Sequence, residues 1–256
     1  MLKRDRFPEL DVLRGIALIL MIFLHILWCM NYLGFKPYAN TFLNTLINGC
    51  YHTFPFVPLL FLILVGIGLS ISYSRKTLKY GLSTHNYSRY LLFRGVYIIT
   101  LGVVLTVFSM FILPSRVVIF GILQCIGLSI ILTIPIIRLK PIYLFYISMF
   151  LILLGNILTH ITAFNDNIFQ YILGFHTNIL SVDYFPLIYF SGFVVLGICI
   201  GKILYKDGIR QFNLPKSTKI KQIGILSWLG RHSLWVYLIH QPIIFGILIL
   251  ISHCNG

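Results

Sequence analysis

Carboxylates are scarce in this sequence. Its 256 residues hold 6 Asp and Glu against 20 Lys and Arg, and charged residues of both signs make up only 10%. A soluble domain is nearer one quarter charged. With 58% hydrophobic residues and a mean hydropathy of +0.92, the composition is that of a polytopic membrane protein. Cysteine is sparse too. The 5 cysteines form no C-x-x-C pair, so neither a zinc site nor a disulfide framework is indicated, and no metal is expected. Cys29, Cys125 and Cys199 fall inside apolar runs and read as small buried hydrophobes. G-x-S-x-G, Walker A, H-E-x-x-H and G-x-G-x-x-G patterns are all missing, which removes several enzyme classes. There is no internal repeat, low-complexity tract or soluble domain, and a single transmembrane domain over 1–256 is expected.

What the chain does have is long apolar runs. Seven reach the roughly 20 residues a spanning helix needs, near 11–33, 54–74, 90–113, 117–137, 141–160, 184–205 and 231–252. The expected fold is therefore an all-α membrane helix bundle of about seven transmembrane helices. The first run continues past any signal-peptide length and lacks an A-x-A site, so it is expected to be retained. With the N-terminus placed in the cytoplasm and the C-terminus outside, only Lys36 and Arg116 of the 20 Lys and Arg fall outside. Orientation thus accounts for the net charge of +14, and no nucleic-acid partner is needed. The same charge would favour anionic membrane lipid or a phosphate-bearing cofactor on the cytoplasmic side. The longest cytoplasmic segment, YKDGIRQFNLPKSTKIKQ, reads as a basic loop. Residues 34–53 and 161–183 are the sizeable outer loops, and the second mixes aromatics with Asn and Asp as an interfacial segment would.

The first run, DVLRGIALILMIFLH, carries ionisable groups that a membrane helix does not need for spanning. At about 100 degrees per residue, Arg14, His25 and Cys29 lie about −60, −40 and 0 degrees from Asp11, on one stripe. Asp11 and Arg14, spaced i and i+3, are placed to pair. His25 lies about 21 Å further along than Asp11, where an ionisable group should face the bundle interior or a wet cavity. Its plainer reading is a neutral core histidine bonded to a backbone carbonyl. In the last run, LGRHSLWVYLIHQPII, Ser233, Tyr237 and His240 share a face at i, i+4 and i+7. Pro242 removes one helical hydrogen bond there, so a proline kink satisfied by polar groups is the plainer reading of that cluster. Two neutral imidazoles near mid-membrane would serve as general bases. Gln124, Asn156, Tyr184 and Tyr189 read as helix-to-helix hydrogen bonds. Arg89 and Arg94, at the start of the third run, read as snorkelling anchors or as phosphate ligands.

Taken in order, LDVLRGIALILMIFLH, LFLILVGIGLSISYSR, FGILQCIGLSIIL, DYFPLIYFSGFVVLGICIGKILY and GRHSLWVYLIHQPI resemble the heparan-alpha-glucosaminide N-acetyltransferase catalytic-domain family in its short prokaryotic form. The first and last are also similar to the wider acyltransferase-3 group. The resemblance implies a multi-pass enzyme of the cell membrane that takes an acetyl group from cytoplasmic acetyl-CoA. The acceptor would be an amine or hydroxyl of a glycan or lipid-linked sugar on the far side. By matching position it implies His25, His240 and Ser233 as catalytic residues and Asp11 and Arg14 as donor-binding ones. Arg89 and Arg94 are further cations for the donor's phosphates. A homodimer is compatible with this reading. Two positions depart from the family pattern: Cys29 stands where relatives often read H-x-x-x-D, and Gln124 where they often read GILH. Each departure removes an ionisable group. A catalytically silent scaffold of the same family is therefore an open alternative, and buried histidines with a broken last helix would also suit a proton-coupled transporter, although no internal pseudo-symmetry supports it.

Overall fold

The computed structural model describes residues 7–32, 56–79, 81–112, 117–162, 167–176, 181, 183–213 and 221–254. The loop 34–53 expected on the outside, Cys50, Lys36 and Arg116 lie outside them. Nine α-helices and no extended strand occur among the described residues. These are α1 (Pro8–Tyr32), α2 (Phe56–Ser74), α3 (Thr84–Ile112), α4 (Ile122–Leu132), α5 (Pro141–Leu158), α6 (Ile168–Leu173), α7 (Leu187–Leu204), α8 (Lys221–Arg231) and α9 (Ser233–Cys254). Among the described residues, five stretches are long and apolar enough to cross a membrane: Pro8–Met30, Phe56–Leu78, Thr84–Ile112, Pro141–Leu158 and Leu187–Leu204. The remaining two expected spans correspond to α4 and α9, whose apolar stretches Ile122–Leu132 and Ser233–Leu248 are shorter.

The chain forms two compact units, one of residues 1–61 with 214–256 and one of residues 62–213. In the second, α2 and α7 run parallel and touch backbone to backbone. A Cβ on Gly66 would strike the Val194 carbonyl, and one on Gly197 the Ile63 carbonyl. Small residues at such crossings let helices approach where lipid offers no hydrophobic drive to association. Against α7 lies antiparallel α5, with Gly155 on the Tyr189 backbone, and α4 packs antiparallel to α3, with Gly127 beside Gly95.

The apolar run 117–137 departs from expectation. It is helical only over Ile122–Leu132, which are 11 residues or about 16 Å, half of a hydrocarbon core. Pro135 follows three residues after the helix ends, and the chain turns there. Residues 117–121 are not helical, and their backbone groups are bonded elsewhere. Ser109 Oγ accepts from the Val118 N–H at 2.9 Å and Ser181 Oγ from the Ile119 N–H at 3.2 Å. Gln124 Oε1 accepts from the Gly121 N–H at 3.1 Å, and the Phe120 carbonyl from the Phe185 N–H at 3.2 Å. The Asp183 carboxylate accepts from the Ile122 N–H at 3.3 Å, at the positive end of α4. Non-helical backbone persists in a membrane protein only with such partners. The segment after α5 contains a further short helix. Asn167 caps the short helix α6, its side chain accepting from the Phe169 N–H at 2.9 Å. Tyr171 stacks on Tyr184 at 4.1 Å between ring centroids, beneath which lie Phe120, Cys125 and Leu187.

The first unit brings α1, α8 and α9 together. Among the described residues of the basic stretch read as a loop, only the last two, Lys221 and Gln222, are α-helical, and the helix they open, α8, packs antiparallel along the first turns of α1. Its contact is made by glycine. A Cβ on Gly15 would strike the Leu226 carbonyl, and one on Gly230 the Asp11 carbonyl. Only backbone this bare lets the two helices meet so closely.

Candidate active site

Helix α1 starts as its sequence dictates, with Pro8 at its first position and Glu9 and Asp11 in its first turn against the positive helix end. Arg14 Nη1 donates to Asp11 Oδ1 at 3.1 Å, so the expected i, i+3 pair is made. Asp11 is buried and Arg14 half-buried. Their stripe faces into the unit while Leu13, Ile16, Ile19, Phe23 and Ile26 are exposed on the other face. Further along the stripe, Cys29 is fully buried at 0% exposure. A thiol there is a small apolar filler. Trp28 packs edge-on against Phe245 of α9 at 6.2 Å, which holds the two helices together beyond the histidines.

His25 and His240 meet. Their ring centroids are 4.9 Å apart with planes crossed at 84 degrees. The sequence placed each on its own helix, but only the packing of α9 along α1 makes them a pair. His25 Nδ1 donates to the Met21 carbonyl at 2.8 Å, and His240 Nδ1 to the Tyr237 carbonyl at 2.6 Å. A carbonyl only accepts, so each Nδ1 carries its proton and each neutral ring keeps the Nε2 lone pair. The plainer reading of His25, a ring bonded to a backbone carbonyl, is therefore present in its bond, and that bond occupies only one nitrogen. His240 is 6% exposed, and its Nε2 is buried without a hydrogen-bond partner among the described residues. A buried acceptor left open costs about 1–3 kcal/mol and asks for an explanation. The Tyr237 ring lies 5.4 Å from His240, and α9 continues through Pro242 without ending. The Met21 and Tyr237 carbonyls, which set both tautomers, left no trace in the sequence because every residue has a carbonyl.

The other candidates are less concentrated. Ser233 opens α9 and is half-buried, about 10 Å along the axis from His240, and no described hydrogen bond joins it to either histidine. Arg89 is exposed and Arg94 half-buried on α3, in the 62–213 unit. Gln124 behaves as the helix-to-helix bond expected of it. Its Nε2 donates to Thr106 Oγ1 of α3 at 2.9 Å while its Oε1 caps Gly121, and its side chain rests on Gly102. Tyr184 lies before α7 rather than in a helix, and its hydroxyl donates to the Tyr171 carbonyl of α6 at 2.6 Å. Asn156 is exposed on α5. Asp183 and Ser181, which cap α4 and the segment before it, were not singled out by the sequence, since their role rests on contacts about 60 residues away.

The order of motifs and the helical architecture agree with a wider comparison. A family model described as heparan-alpha-glucosaminide N-acetyltransferase, catalytic, matches residues 6–242. No curated protein and no solved structure matches the chain. The family match takes in Asp11, Arg14, His25, Ser233 and His240 together with the α4 segment carrying Gln124, so that nearly the whole chain, both histidines included, belongs to the heparan-alpha-glucosaminide N-acetyltransferase catalytic family of membrane transferases.

Proposed function

We propose that this protein is an integral membrane acetyltransferase that uses cytoplasmic acetyl-CoA. Its acceptor is an amine or hydroxyl of a glycan or lipid-linked sugar on the opposite side. The observation that carries the reading is the His25–His240 pair, two crossed imidazoles with both Nδ1 protons committed to backbone and both Nε2 lone pairs left as bases. In the transfer, the acceptor nitrogen or oxygen attacks the thioester carbonyl and a new C–N or C–O bond forms. The C–S bond breaks, the acceptor's proton goes to an imidazole Nε2, and the CoA sulfur leaves as thiolate and takes up a proton. Positioned general-base catalysis is worth about 100- to 10,000-fold in rate. His25 is the base or a transient acyl carrier, with His240 beside it. Ser233 is assigned to the same chemistry on its family position. Arg14, positioned by its pair with Asp11, is assigned to the donor's phosphates, for which a guanidinium offers paired donors, and Arg89 and Arg94 are separate phosphate candidates on the 62–213 unit. Seven spans with a cytoplasmic N-terminus fit this direction of transfer and the distribution of Lys and Arg.

The test is acetyl transfer from labelled acetyl-CoA to an amino-sugar acceptor by the purified full chain. His25→Ala should lower turnover about 100- to 10,000-fold while CoA still raises the thermal stability of the protein. Arg14→Ala should weaken that stabilisation. Wild-type turnover in His25→Ala removes the assigned base. A wild type that neither transfers acetyl nor is stabilised by CoA removes the enzyme reading altogether.

A further inference from the structure

One end of the 62–213 unit collects cations with little carboxylate to meet them. Lys202 Nζ donates to the Leu139 carbonyl at 2.7 Å, and the Lys76 ammonium lies 3.0 Å from the Tyr90 ring centroid. Gly208 abuts the Arg75 side chain. These contacts bring the ends of α2, α4 and α7 and the starts of α3 and α5 to the same level. Asp207 is the one acidic residue described at that end. Arg138 and Lys140, on either side of Leu139, are both exposed, and neither has a carboxylate partner among the described residues. Lys202, by holding the Leu139 carbonyl, fixes the turn that presents them.

Directly after these cations α5 begins, one of the five helices long enough to span a membrane. Its exposed residues Tyr143, Tyr146, Phe150, Leu153 and Ile157 recur every three or four positions and form one unbroken face. Tyr146, Phe150 and Leu153 are each 63% exposed. A spanning helix turns such a face to hydrocarbon. The surface therefore carries two adjacent cations at one end of a lipid-facing apolar strip that opens with two tyrosines, the arrangement of a membrane interface. A soluble phosphate would use the cations and leave the strip idle. A zwitterionic lipid would bring a cation of its own beside Arg138 and Lys140.

We propose that Arg138 and Lys140 bind the phosphate of an anionic phospholipid whose acyl chains lie along the Tyr143–Ile157 face of α5. This site stands apart from the acetyl-transfer reading and does not depend on it. The test is native mass spectrometry of the full chain in detergent with equal amounts of phosphatidylglycerol and phosphatidylcholine of the same acyl chains. Wild type should retain phosphatidylglycerol in preference. A juxtamembrane cation is worth roughly 5-fold in attraction to anionic lipid, so an R138Q/K140Q variant should lose about 30-fold of that preference. The charge-preserving R138K/K140R variant should keep it, and soluble glycerol phosphate should not displace the lipid. Equal retention of the two lipids by wild type overturns the proposal, as does an unchanged preference in R138Q/K140Q. Displacement by glycerol phosphate at the lipid's own concentration overturns it by making the site one for a free phosphate.

Discussion

Four glycines of the first unit make opposite predictions under one substitution. Gly15 and Gly230 sit where α1 and α8 touch. An added Cβ on Gly15 would strike the Leu226 carbonyl oxygen and stand 2.9 Å from its carbonyl carbon. One on Gly230 would strike the Asp11 carbonyl oxygen and stand 2.7 Å from its carbon. In each case the obstacle is backbone, so no rotamer change relieves it and a whole helix must move. Overpacking of this kind costs about 1–3 kcal/mol. Gly224 and Gly246 lie in α8 and α9 with nothing within 4 Å of the added carbon. There alanine gains about 1 kcal/mol of helix propensity with no clash against it. Gly15→Ala and Gly230→Ala should therefore be destabilised, and Gly224→Ala and Gly246→Ala level with wild type or more stable, a gap of about 2–4 kcal/mol between the pairs. The assay is SDS-induced unfolding of the purified protein followed by Trp fluorescence, Trp228 lying on α8 itself. If Gly15→Ala unfolds at the same SDS concentration as Gly246→Ala, the close α1–α8 contact is not a feature of the folded protein. Gly230→Ala has a second consequence, since the Asp11 backbone it displaces belongs to the Asp11–Arg14 pair. Under the proposed function its stabilisation by CoA should weaken as well.

Gln124→Leu removes the acceptor of the Gly121 N–H and the donor to Thr106 Oγ1, and should destabilise by about 1–3 kcal/mol in the same unfolding assay. Thr106→Val in the Gln124→Leu background should add little, because the pair has already been broken. Lys202→Met keeps the length of the side chain but frees the Leu139 carbonyl, so hydrogen exchange around residues 133–140 should accelerate, and an unchanged rate would deny Lys202 its pinning role. For topology, a cysteine placed at Lys206 should react with an impermeant reagent only from the cytoplasmic side, and reaction only from outside would invert the proposed orientation. Cys29→Asp would place a carboxylate one turn beyond His25. Under the proposed mechanism it should raise turnover, measured with the same labelled-acetyl assay, and a fall would mean that the wholly buried thiol site cannot hold a charge.

The membrane character, the helical class and the stripe of Asp11, Arg14 and His25 were legible in the sequence. Each depends on local rules: hydropathy over about 20 residues, a 100-degree step, an i, i+3 pairing. The family, too, was legible, because its motifs are contiguous words such as LDVLRGIALILMIFLH and GRHSLWVYLIHQP. What local rules could not supply was anything set by a partner far along the chain. Residues 117–121 are as apolar as a spanning helix yet are not helical, and Ser181 and Phe185, more than 60 residues away, supply partners to Ile119 and Phe120 that no local rule announces. The basic stretch ending at Gln222 reads as a loop by charge, and the helix that begins at Lys221 lies on α1 where Gly15 and Gly230 leave room for it. His25 and His240 stand 215 positions apart in the numbering, and nothing in either neighbourhood announces the other. Composition decides which solvent a chain lives in and periodicity which face of a helix is polar. Which two polar faces meet is decided by packing, and in this protein that step turned two isolated histidines into a pair.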